Sequence, residues 1–120
     1  MILNVRSEKN LAGVHEDLIR VVRLAAERTD LDFIVTEGLR TKERQAKLVA
    51  AGASQTMNSK HLTGRAVDLA AVVGGEVRWD WPLYHKLAKV MKEAATELKV
   101  PIVWGGDWRS FKDGPHFELK

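Results

Sequence analysis

Ala66-Val67-Asp68-Leu69-Ala70-Ala71-Val72-Val73-Gly74-Gly75-Glu76-Val77-Arg78-Trp79 is the stretch that decides the fold class. Eight mostly apolar residues, a Gly-Gly pair and a short β-branched return predict two antiparallel strands joined by a two-residue hairpin turn. Alternation along the first strand places Ala66, Asp68 and Ala70 on one face and Val67 and Leu69 on the other. A carboxylate within such an apolar strand is costly to bury without a partner. A metal ion is one such partner; a salt bridge to Arg65 or Arg40 is the alternative.

Outward from the hairpin, helices and strands mix without strict βαβ alternation. Glu16–Arg28 carries Leu18, Ile19, Val21, Val22, Ala25 and Ala26 at helical spacing. Phe33–Thr36 reads as a strand, and Thr41 caps a helix that runs to about Ala51 before Gly52 stops it. Trp81-Pro82 opens a helix over about Leu83–Leu98, and Pro101–Trp104 and Pro115–Leu119 read as strands. Residues 1–13 read as an irregular lead-in, 53–63 as a polar loop and 105–108 as a further loop. The expectation is a single α+β domain over residues 1–120, with a small, largely antiparallel sheet and about three helices.

The 120-residue chain is 45% hydrophobic and 29% charged, which suits one soluble globular domain. It contains no cysteine, so disulfides and thiolate metal sites are excluded, and a transition metal would need histidine and carboxylate ligands. The net charge of +3 and pI near 9.3 are spread along the chain. No basic stripe with interleaved aromatics suggests nucleic-acid binding. No signal peptide and no membrane span are read, so the expected location is the cytoplasm of the producing cell.

Of the four histidines, His15 and His85 lack a second ligand at helical spacing and read as surface or satisfied core residues. No His-Glu-x-x-His pattern is present. His61 and Asp68 lie where a loop meets the central strand. A second cluster, Asp113-Gly114-Pro115-His116-Phe117-Glu118, ends the chain. Asp113-Gly114-Pro115 is good turn chemistry in its own right; the alternative is that the turn places the carboxylate within reach of a water on a metal held by His116.

Ser59-x-His61-x-x-Gly64-x-Ala66-x-Asp68 followed by Asp113-x-x-His116-Phe117 resembles the zinc D-alanyl-D-alanine carboxypeptidase (VanY-type) and L-alanyl-D-glutamate endopeptidase family. Arg40-Thr41-x-x-x-Gln45-x-x-Leu48 and Trp104-Gly105-Gly106-x-Trp108 are similar to further family motifs. The opening from Ser7 to His15 is most similar to the phage endolysin branch. The resemblance implies a Hedgehog/DD-peptidase-like domain with zinc held by His61, Asp68 and His116. It implies Asp113 as general base, Arg40 on the scissile carbonyl, and Gln45 and Ser59 in support or substrate contact. Many relatives carry Glu where Asp113 stands.

The implied activity is hydrolysis of the L-Ala–D-Glu bond of peptidoglycan for lysis of a bacterial host. The implied protein is a monomer that waits in the host cytoplasm until the inner membrane is opened, without inserting into it. A D-Ala–D-Ala carboxypeptidase and a non-catalytic zinc-containing wall-binding module are the alternatives.

Overall fold

The computed structural model describes residues 1–54 and 56–120. Among them are four α-helices, α1 (Val5–Leu11), α2 (Glu16–Arg28), α3 (Lys42–Ala50) and α4 (Trp81–Leu98). The strands are β1 (Phe33–Glu37), β2 (Ala66–Val73), β3 (Glu76–Arg78), β4 (Ile102–Trp104) and β5 (His116–Leu119). All pairings are antiparallel, in the order β1-β2-β5-β4, with β3 pairing the far end of β2. The α+β expectation holds.

The hairpin forms as read. Gly74 (φ 59°) and Gly75 (φ 82°) both take the left-handed region, as a two-residue turn matching strand twist requires. Strand β2 then divides the molecule. Val67, Leu69 and Ala71 face α2 and α4 and join Phe33, Val35, Phe117 and Trp104 in the core. Asp68 lies on the opposite face, and α3, whose one buried residue is Gln45, contributes nothing to that core.

Residues 1–13 are not an irregular lead-in but contain α1, which adds a fourth α-helix among the described residues to the about three expected. The Asn4 side chain caps α1 by accepting from the Ser7 amide at 2.8 Å. Seven residues are too few to show a period, which is why the helix is hidden in the sequence. Its role is to cover an edge. Strand β1 ends the sheet, and its outward Val35 amide donates to Ser7 Oγ at 2.9 Å while Asn10 Nδ2 donates to the Val35 carbonyl at 2.8 Å. Both outward backbone groups of Val35 are thereby satisfied, which blocks pairing with another strand there.

A β-bulge between Val35 and Glu37 shifts the β1–β2 register. Without it, strand alternation would send Glu37 to the same face as Val35, into the core. With it, Glu37 pairs with Asp68, and Asp68 pairs in turn with His116 on β5. Three ionisable residues therefore form one row across three strands.

Removing the Ser7 hydroxyl strands a buried amide. Ser7→Ala is expected to cost about 1–3 kcal/mol in urea unfolding, whereas Val5→Ala, at an exposed position of the same helix, should change stability by less than about 0.5 kcal/mol.

Candidate metal centre and catalytic cleft

The row on the sheet becomes a site because two neighbouring segments bring side chains to it. A short 3-10 turn over Lys60–Thr63, within the segment read as loop, is capped by Ser59, whose Oγ accepts from the His61 amide at 3.2 Å. It delivers His61 onto Asp68. The Arg40 amide donates to the His61 carbonyl at 2.9 Å, so the turn is locked to the segment leaving β1.

Asp68 Oδ1 lies 3.2 Å from His61 Nε2 and 3.4 Å from His116 Nδ1. Ligands about 2.0–2.1 Å from a tetrahedral metal lie about 3.3–3.4 Å apart, so this spacing fits zinc. The far nitrogens of both rings are already committed. His61 Nδ1 meets the Gly38 carbonyl at 2.8 Å, and His116 Nε2 meets Glu118 Oε1 at 2.7 Å. Each contact requires a proton on that nitrogen, so in the neutral ring that ligation needs the other lone pair is directed at the shared point. His61 would thus bind through Nε2, His116 through Nδ1 and Asp68 through Oδ1.

The charges are balanced locally. Burial pushes the Asp68 carboxyl up, but hydrogen bonds and charge from His116 and His61 outweigh it and hold it well below the usual range. Burial pulls His116 down, yet the hydrogen bond and charge of Asp68, with Glu118 and Asp113, raise it overall. For Asp113, burial and then the Asp68 charge raise the carboxyl, against opposing pulls from His116, His61 and Arg40.

Asp113 reaches the cleft through a tight approach. Its amide donates to the Gly105 carbonyl at 3.0 Å. A β-carbon at Gly105 would collide with the Asp113 carbonyl and stand 3.0 Å from Asp113 Cβ and 3.1 Å from His116 Cβ. Glycine at 105 therefore lets the loop after β4 touch the turn that carries Asp113 and His116.

Arg40 lines the cleft but is 9% exposed. Its Nε and Nη2 donate to the two Glu37 oxygens at 2.7 and 2.8 Å, and Nη1 donates to Gln45 Oε1 at 2.7 Å. Nη2 also lies 3.6 Å from Asp68 Oδ2, so the salt bridge considered as an alternative to a metal coexists with the ligand cluster. Gln45 is 0% exposed and donates onward to Ser54 Oγ at 2.8 Å. For Gln45, expected in support or substrate contact, the surrounding chain encloses the amide, which links Arg40 to Ser54. Ser59 lines the cleft and caps the His61 turn.

Three contributors were not singled out as site residues from the sequence: Glu37, Glu118 and Trp108. Glu37 also accepts from Arg44 Nε at 2.9 Å. Glu118 bridges His116 and Lys60 Nζ, the latter at 3.1 Å, and the Trp108 ring lies 5.1 Å from that of His116. The i, i+2 spacing of His116 and Glu118 on a strand was a usable signal for the second; the Glu37 position depends on a bulge. The cleft enclosing these groups has a volume of about 740 Å³.

Fold and site together define the class, a small single-sheet α+β domain bearing a His–Asp–His group that could hold a metal. The fold likeness extends to the vancomycin-resistance D,D-dipeptidase VanXYg, with a TM-score of 0.59 at 19% identity over 88% of this chain and 50% of that one. The Serratia marcescens L-Ala D-Glu endopeptidase ChiX superposes with a TM-score of 0.92 at 50% identity, covering 97% of this chain and 87% of its own. The L-alanyl-D-glutamate peptidase of Escherichia phage T5 is 36% identical over 118 residues, 95% of this chain and 85% of that protein. The chain belongs to the phage L-alanyl-D-glutamate peptidase family, whose profile matches residues 1–120.

Because a proton on His116 Nδ1 competes with metal, zinc affinity should fall as pH is lowered through the raised His116 value, read by competition with a chromogenic chelator. Without metal the sign reverses. The stability from His116 is fully present below its unfolded value of about 6.5 and is lost as pH rises through the folded one, so the gap in melting temperature between zinc-loaded and metal-free protein should widen with pH. Glu118→Gln should weaken zinc binding about 10–100-fold with the fold retained.

Proposed function

We propose that this chain is a zinc-dependent endopeptidase that hydrolyses the L-Ala–D-Glu bond of peptidoglycan stem peptides. The observation that carries the reading is the His61–Asp68–His116 group, its ligand atoms within 4.8 Å of one another, facing the same cleft as Asp113. Family membership supplies the bond. When bound, zinc supplies positive charge that polarises a carbonyl and makes water acidic enough to yield hydroxide near neutral pH.

The remaining work falls to the chain's own groups. The Asp113 carboxylate takes the proton from the attacking water and returns it to the leaving amine nitrogen of the D-glutamyl residue. A carboxyl raised by burial is suited to a proton that must be both accepted and released. Arg40 has five N–H donors; three are held by Glu37 and Gln45, which fixes the guanidinium plane. Its remaining N–H groups serve Asp68 and the oxygen that gains charge as the carbonyl is attacked. Glu118 and the Gly38 carbonyl keep the two imidazoles in the tautomers that ligation needs.

In this reading zinc is the resident metal and the protein works as a monomer on the cell wall, with no nucleic-acid partner and no membrane insertion. Among the described residues no helix is long and apolar enough to cross a membrane. A lytic role, with passage from the host cytoplasm to the wall once the membrane is opened, follows from kinship with the phage peptidases.

Digestion of purified sacculi should release new N-terminal D-Glu and C-terminal L-Ala, identified by mass spectrometry. Release of free D-Ala instead would establish the carboxypeptidase alternative. Asp113→Asn should lower kcat by about 10²-fold or more while still binding zinc, whereas His61→Ala should lose both metal and activity. Zinc loss in Asp113→Asn, with turnover restored by added metal, would overturn these roles.

A further inference from the structure

Among the described residues, two that are not glycine have positive φ, Lys99 at 58° and Phe111 at 52°. Lys99 is accounted for, since it ends α4 and its amide bonds to the Ala95 and Thr96 carbonyls. Phe111 ends no helix. It sits in the segment between Trp108 and Asp113, where the chain turns back so that Asp113 can meet Gly105. Asparagine or glycine would take that conformation more readily, because a β-carbon crowds the backbone there.

The ring is not repaid by burial. Phe111 is 46% exposed, and it lines the catalytic cleft with Trp108. Strands β1 and β5 flank β2 on opposite sides. The segment bearing Phe111 leads into β5, while α3, which supplies Leu48 to the same cleft, follows β1. The cleft therefore has apolar groups on both walls around a polar floor of Asp68 and His116.

We infer that Phe111 is a substrate-contact residue, whose ring covers an apolar portion of the stem peptide and whose unfavourable backbone is retained for that contact. A residue that is strained, apolar and half exposed in the free protein gains its burial only when the cleft is filled. The ligand class is a short peptide carrying methyl or methylene groups beside the scissile amide. The inference rests on the peptidase reading above.

The test uses the zinc-loaded full chain and a soluble stem-peptide fragment. Phe111→Asn, which tolerates positive φ, should raise KM several-fold with kcat within about twofold of the parent, and its melting temperature should be equal or higher. Phe111→Tyr should restore KM. An unchanged KM in Phe111→Asn, or a melting temperature several degrees lower, would overturn the inference. Failure of the parent enzyme to cut L-Ala–D-Glu would instead reject the underlying function, so the two failures are distinguishable.

Discussion

Everything at the site depends on one carboxylate set into an apolar strand. Asp68 stands on a strand whose neighbours Val67 and Leu69 are both fully buried, and a lone anion there would be costly. It is tolerated because two imidazoles and a guanidinium converge on it, at 3.2, 3.4 and 3.6 Å. Each partner is in turn held by a second group: His61 by the Gly38 carbonyl, His116 by Glu118 and Arg40 by Glu37. The protein therefore has its ligand geometry assembled by its own hydrogen bonds.

Much of this was legible in the residues. The Gly74-Gly75 turn and the alternation around Asp68 set the antiparallel class and the two faces of β2, and the helical spacing of α2 and α4 located the core. The ligand set needed more, since His61–Asp68 alone left metal and salt bridge in balance. Its agreement with residues 113–116 came through resemblance to a family rather than spacing. What stayed hidden had physical reasons. Helix α1 is held by Asn4, Ser7 and Asn10 through hydrogen bonds to its own backbone and to β1, and seven residues carry no readable period. Glu37 reaches Asp68 only through a bulge, a register change that alternation would place on the wrong face. Gln45, in a helix with little other burial, gave no sign that its amide would be enclosed.

The site also divides labour between flanks. From the β1 side come Arg40 and its clamps, from the β5 side His116, Glu118 and the turn bearing Asp113. Gly105 joins the β4 end to that turn by backbone contact, so Asp113 is positioned through its own main chain. A fold likeness at 19% identity says nothing about such details, which rest on this chain's own contacts.

Strand β2 presents Val67, Leu69 and Ala71 to the core and Asp68, on the opposite face, to the cleft. A single-residue insertion upstream within the strand would exchange those roles, sending a carboxylate among Phe33 and Phe117 and an apolar side chain among the histidines. Correct strand pairing and assembly of the His–Asp–His group are thus the same structural event. A misregistered chain would fail at both, so hydrophobic sorting during folding also proofreads the chemistry.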